Sequence, residues 1–156
     1  MKRKRYISVL AVMSVMTVLG GCGMQNNFVE EQPQNMTIGI SVYDQYDTFI
    51  SELMSQFQSY VKEKEKDWGI SITLEIQNAE QNQLMQNSQL DSFIEDGVDI
   101  ACINLVDRTD ASSIIEKAKT SDVPVIFFNR ELVKEDLERW DKLYYVGADA
   151  YESGKL

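Results

Sequence analysis

VPVIFFNRE, residues 123–131, is the stretch from which the architecture can be read. Its first six residues are apolar, and the last three, Asn129, Arg130 and Glu131, are polar. Successive side chains of a strand point to opposite faces, so an unbroken apolar run marks a strand covered on both sides. That pattern belongs to a central strand of a parallel sheet. The polar residues that follow it then lie at the carboxyl edge, where open α/β sheets hold their ligands.

The same grammar repeats in both directions. Upstream, residues 111–119 predict a helix with Ile114, Ile115 and Ala118 on one face, and residues 98–103 predict a strand. Residues 80–95 predict a helix that turns Leu84, Leu90, Phe93 and Ile94 inward and stops at Gly97. Ile70, Ile72, Leu74 and Ile76 alternate with Ser71, Thr73 and Glu75, the pattern of a half-buried strand near a sheet edge. Residues 36–43, MTIGISVY, predict the first strand. After a polar loop, Thr48 is expected to cap a helix carrying Phe49, Ile50, Leu53, Phe57, Tyr60 and Val61 at helical spacing. The Lys/Glu run at 62–66 is its solvated end, and Trp68-Gly69 breaks it. Downstream, residues 134–139 predict a short helix and 143–146 a fifth strand, and residue 151 begins a last helix. Strands joined by crossover helices form right-handed parallel units. The fold class is therefore α/β, a doubly wound parallel sheet. Its carboxyl-edge loops fall at residues 43–47, 77–80, 104–109 and 129–131.

Composition excludes several chemistries. The 156 residues suffice for one globular domain that buries about two-thirds of its unfolded surface. There is no histidine, which removes Ser-His and Cys-His catalysis and every His-ligated metal site. Two cysteines, Cys22 and Cys102, form neither a CxxC pair nor a disulfide framework. Cys102 lies inside an apolar strand and reads as a small core residue. Lys2, Arg3, Lys4 and Arg5 open the chain and leave eleven basic residues against twenty-five acidic ones, a balance of −14. So acidic a body repels nucleic acid, and the simplest use of its charge is solubility.

The basic start introduces YISVLAVMSVMTVLG, residues 6–20, which is shorter than the roughly 20 residues of a membrane span and suits a secretory signal. It ends in Leu19-Gly20-Gly21-Cys22, similar to the bacterial lipobox, where small residues precede a Cys whose thiol accepts a diacylglycerol. The expected organisation is a lipoprotein signal peptide at 1–21, lipidated Cys22 opening a flexible tether at 22–35, and a folded lobe at 36–156. Two or three fatty chains anchor stably, which places the body at the outer face of the cell membrane or in the periplasm.

The carboxyl-edge loops offer Asp44, Asp47, Asn78, Asn104, Asp107, Asn129, Arg130 and Glu131, with Tyr46 and Phe49 nearby. Planar carboxylates and amides match paired hydroxyls, and an aromatic ring matches the C–H face of a sugar. The plainer uses are equally visible. Asn104 and Asp107 suit turns, Asp47 suits a helix N-terminus, and Phe49 suits the core beside Ile50 and Leu53.

Six segments, in order, resemble one family. They are Ile38 to Tyr43 (IGISVY); Tyr46-Asp47-Thr48-Phe49; Gln86 to Asp91 (QNSQLD) with Gly97-Val98-Asp99; Ile103 to Asp107 (INLVD); the opening VPVIFFNRE; and Tyr144 to Asp149 (YYVGAD) with Glu152-Ser153-Gly154. Together they resemble the N-terminal lobe of galactose/glucose-binding proteins of bacterial ABC importers, within the ribose-type periplasmic binding superfamily (type I), from about residue 36 to 156. The resemblance implies that Asp47 accepts from a pyranose hydroxyl pair, that Asn129 bonds a further hydroxyl and that Phe49 stacks on the ring. Asn104, Asp107 and Arg130 are implied supports. It also implies an ABC permease as partner, with a chemoreceptor as a further one. Arg108 and Leu132 depart from the prolines usual in the family.

Family members continue into a second lobe that carries the opposite aromatic face and a calcium site, so no metal or cofactor is expected on this chain. The lobe is expected to be incomplete, ending inside a helix, and to bind glucose or galactose feebly or not at all by itself. The other reading of the same ending is an inactive fragment, or one half of a split receptor. An enzyme reading has little support. Asp44-Gln45-Tyr46-Asp47-Thr48 has two residues between its carboxylates where haloacid-dehalogenase phosphatases have one. A LacI-type repressor is opposed by the export signal and the missing basic helix-turn-helix segment.

Overall fold

In the computed structural model, residues 35–148 are described. Five strands alternate with four helices: β1 (Asn35–Val42), α1 (Thr48–Trp68), β2 (Ser71–Asn78), α2 (Gln83–Asp96), β3 (Ile100–Ile103), α3 (Ser112–Ser121), β4 (Val125–Phe128), α4 (Lys134–Leu137) and β5 (Leu143–Val146). All pairings are parallel, in the order β2-β1-β3-β4-β5. This is the doubly wound α/β sheet expected from the sequence. β2 is an edge strand, as its alternation predicts. β4 is interior but one place off centre, because β3 holds the middle. The predicted signal, lipidation site and tether, and the last helix from residue 151, lie outside the described residues.

Local chemistry sets the helix ends. The first helix is capped by Asp47 rather than Thr48. Asp47 has extended backbone, and its Oδ1 accepts from Ile50 N at 3.0 Å. Gly69 closes α1 in the left-handed region at φ 68°, where its N–H donates to Glu65 O. The second helix starts at Gln83, three residues later than expected. Glu80 and Gln81 take left-handed φ values of 52° and 59°, and Asn82 caps by accepting from Met85 N. The expected inward face of α2 is also corrected. Gln86, Gln89, Leu90 and Phe93 are buried, whereas Leu84 is 78% exposed. Leu84 lies about 200° round the helix from Gln86, at roughly 100° per residue.

Right-handed crossovers place α1 on one side of the sheet, because β2 lies on one flank of β1 and the later strands on the other. On the opposite side α2 and α3 pack together, and Phe93, Ile103, Ile114, Ile115, Val125 and Phe127 are fully buried. Gly39 permits this approach: a Cβ there would sit 2.6 Å from Phe93 Cγ. The α1 side carries a smaller core of Ile40, Val42 and Ile50. Beyond it runs a groove of about 590 Å³ whose floor includes Ile100, Cys102, Ile126 and Phe128.

Candidate functional site

At the carboxyl edge the sequence places a polar loop after each of β1 to β4, and the structure ties these loops together from beneath. Ser41, Gln86, Gln89 and Asn104 are buried polar side chains. Ser41 Oγ donates to Gln89 Oε1 at 2.6 Å and accepts from Gln86 Nε2 at 3.0 Å. Gln86 Nε2 also reaches Asn104 O, and Gln86 Oε1 accepts from Val106 N at 2.9 Å. Gln89 Nε2 donates to Asn78 O at 2.7 Å. The network thus ties the ends of β1, β2 and β3 to α2. Among the described residues, no buried side-chain N or O lacks a partner. A satisfied buried network is rigid, because any broken member strands a desolvated group.

The candidate residues take distinct places on this base. Asp47 holds two donors, Ile50 N at Oδ1 and the Tyr43 hydroxyl at Oδ2. The Tyr43 hydroxyl bond, then the backbone N–H of Ile50, hold its carboxyl below the ordinary carboxylate range, and the Arg130 charge adds to the effect. The same bond, with some burial, pushes the Tyr43 hydroxyl above its ordinary value. Phe49 is 60% exposed, so it is not a core residue. It lines the rim of the groove together with Asn129. Asn129 sits at φ 63°, a left-handed position that Asn tolerates, and its N–H donates to Val146 O at 3.0 Å.

The three expected supports differ in burial: Asn104 is buried, Arg130 half-buried and Asp107 exposed. Asn104 is fully buried: its Nδ2 donates to Phe128 O at 3.1 Å and its Oδ1 accepts from Tyr43 N at 3.4 Å. It joins the β1 and β4 ends from beneath rather than standing on the loop surface. Asp107 closes a turn by accepting from Thr109 N and Oγ1, and these bonds lower its pKa. Arg130 Nη1 donates to Leu105 O and Val106 O, and its guanidinium lies 3.6 Å from the centroid of the Tyr43 ring. Arg108, one of the two departures from family prolines, donates through Nε to Glu131 O and so joins the third and fourth loops.

Cys102 is not fully buried. It faces the groove, and desolvation pushes its thiol up to about 11. Among the described residues there is no cluster of three metal-ligating side chains, and no helix is long and apolar enough to cross a membrane.

Sequence reasoning passed over Ser41, Tyr43, Gln86 and Gln89. A signal existed for the glutamines: Gln86 and Gln89 fall on the same helical face as Leu90 and Phe93. Amides on an apolar face require buried partners.

Strand order, crossovers and a polar carboxyl edge over a rigid base are those of an open α/β lobe. Consistent with this, the chain belongs to the family described as "Periplasmic binding protein domain", whose model matches residues 38–156. Membership places it among binding proteins rather than enzymes. Among curated relatives, it is 37% identical over 120 residues to a D-galactose/methyl-galactoside binding periplasmic protein of Haemophilus influenzae, covering 76% of this chain and 34% of that one. It is 31% identical over 121 residues to a putative rhizopine-binding protein of Rhizobium meliloti, covering 77% of this chain and 37% of that one. Among solved structures, the binding component of the arabinose ABC transporter of Shewanella sp. ANA-3, bound to L-arabinofuranose, aligns with a TM-score of 0.60 at 27% identity. That alignment covers 76% of this chain and 37% of the other. The chain thus spans about a third of the length of these proteins.

Proposed function

We propose that this chain captures a galactose- or glucose-type monosaccharide for an ABC importer, with Asp47, Phe49 and Asn129 as its binding surface. The observation that carries the reading is the Asp47 carboxylate. It accepts from the Tyr43 hydroxyl at Oδ2 and from the Ile50 N–H at Oδ1, with the Phe49 N–H a further backbone partner, and a carboxylate has about four acceptor positions. Acceptor capacity remains for a ligand hydroxyl. An acceptor-only carboxylate whose pKa is lowered selects a ligand that offers O–H donors. Exposed Phe49 supplies an apolar face, and the Asn129 amide a further donor and acceptor. Asn104, Asp107 and Arg130 support the loops that carry these groups. The curated galactoside-binding relative supports this choice of sugar over the arabinose and rhizopine named for the others.

The described loops form one wall. Binding in this family's manner would close a second wall over the sugar by a hinge, and the closed form would be read by the permease. A ligand resting on one wall stays hydrated, so the chain alone is expected to bind weakly. The lipoprotein organisation belongs to the same proposal: residues 1–21 removed, Cys22 acylated, residues 22–35 a tether, and the lobe held at the outer membrane face or in the periplasm. Mass spectrometry of the N-terminal peptide from cells would find a diacylglyceryl Cys22; an unmodified peptide beginning at Met1 would refute the anchor.

Isothermal titration with galactose, glucose, arabinose and ribose tests the sugar. Galactose and glucose are expected to bind most tightly, and Asp47→Ala to abolish that binding. Preference for a pentose would refute the assignment.

A further inference from the structure

Asp47 does not hold its orientation by itself. Its Oδ1 is fixed by the N–H of Ile50, which leaves the other oxygen to be set by whatever donor meets it. That donor is the Tyr43 hydroxyl. The Tyr43 ring in turn lies under the Arg130 guanidinium, 3.6 Å from guanidinium carbon to ring centroid. The guanidinium is held on the backbone of the third loop through Nη1, 3.2 Å from Leu105 O and 2.9 Å from Val106 O.

We propose that Tyr43 and Arg130 are positioning residues of the sugar site: Arg130 clamps the phenol ring, and the phenol fixes the Asp47 carboxylate to receive ligand hydroxyls. The inference rests on the functional reading of Asp47 given above. It links three carboxyl-edge loops through one chain of contacts, so the carboxylate is aligned before a sugar arrives. Preorganisation of this kind lowers the cost of binding. The guanidinium suits the task because it is planar and stays charged: it stacks on the ring while its N–H groups reach carbonyls. A lysine offers a point charge with no plane to stack. Two other carboxylates of these loops are engaged elsewhere. Asp44 accepts from Tyr46 N and Gln81 Nε2, and Asp107 accepts from Thr109. The lowered pKa of Asp47 and the raised pKa of Tyr43 accord with the geometry.

The test is carbon NMR of the full chain in detergent micelles, following the Asp47 carboxyl through acid titration, with galactose titrated into the same samples. In Tyr43→Phe the Asp47 pKa is expected to rise by about half a unit or more, and galactose affinity to fall about tenfold. Arg130→Gln and Arg130→Lys are expected to shift both readouts in the same direction by a smaller amount, the lysine variant failing to restore wild-type values. Should Tyr43→Phe not fold, the two Arg130 variants carry the test. An Asp47 titration unchanged in variants with native amide spectra overturns the inference, as does a shifted titration with unchanged galactose affinity. A wild-type chain whose spectrum responds to arabinose or ribose and not to galactose overturns the sugar reading instead, and is recognised separately because the carboxyl titration does not depend on it.

Discussion

The two faces of this sheet are built from equally apolar residues and end in different states. On the α2–α3 side, Ala101, Ile103, Val125 and Phe127 are fully buried. On the α1 side, their neighbours Ile100, Cys102, Ile126 and Phe128 are only partly buried, and Val146 is 63% exposed. The alternation is strict along β3 and β4. Among the described residues α1 is the only helix on that side, and it lies over β1 and β2. An apolar residue therefore states what its face requires, and among the described residues only the β1–β2 part of this face has a helix over it. Parallel sheets are ordinarily covered on both faces. Among the described residues, no helix covers the floor of the groove.

The sharpest way to break the contrast is a pair of truncations one residue apart. Phe127→Ala is expected to cost about 3–5 kcal/mol, the range for a large aromatic removed from a packed core. Phe128→Ala should cost less than half as much in the same urea denaturation series. Equal losses would mean that both faces are sealed. Next in size comes Gly39→Ala, which drives a Cβ into the Phe93 ring on the sealed side and is expected to cost about 1–3 kcal/mol by overpacking. A neutral result would show that α2 has room to move.

Smaller again is Asn104→Ala. It removes the partner of Tyr43 N and leaves Phe128 O with the Arg130 N–H alone, and should cost about 1–3 kcal/mol, towards the low end because the 3.4 Å bond is long. The least disruptive probe is Cys102. With its thiol pushed up to about 11, labelling by a thiol reagent should be slow at pH 7 and accelerate roughly tenfold per pH unit up to pH 10. A rate that levels off near pH 8.5 would mean that water reaches the groove floor freely.

Acid separates the rim from both faces. The folded-state pKa of Asp47 lies below its ordinary value. Its stabilising contribution is therefore complete above the ordinary carboxylate pKa and is lost as pH falls through the lower folded value. Asp47→Asn should flatten the stability profile in that acid window and leave it parallel to wild type at neutral pH.

Much of the architecture was legible in residue order. VPVIFF and the Ile/Leu alternation of β2 revealed strands, and Gly69 and Gly97 marked helix ends. The parallel sheet followed from strands spaced by helices. The errors were local ones of phase and capping. Asp47 outcompetes Thr48 because its carboxylate reaches Ile50 N, and the left-handed turn at Glu80 and Gln81 delays α2 and rotates Leu84 outward. Neither contest can be settled from residue type, since both residues at each position are acceptable there.

By itself, the sequence determined the class of sheet, the polar loops at its carboxyl edge and the chemistry available on them, because periodicity and residue type are local properties of the chain. Only the tertiary structure decided which polar side chains lie beneath the loops and which stand at their surface. It buried Asn104, exposed Phe49, and drew Tyr43 and Arg130 together around Asp47. Each of these outcomes depends on segments 4 to 87 residues apart meeting in space, and pairings over such distances are selected by the packing of the whole lobe.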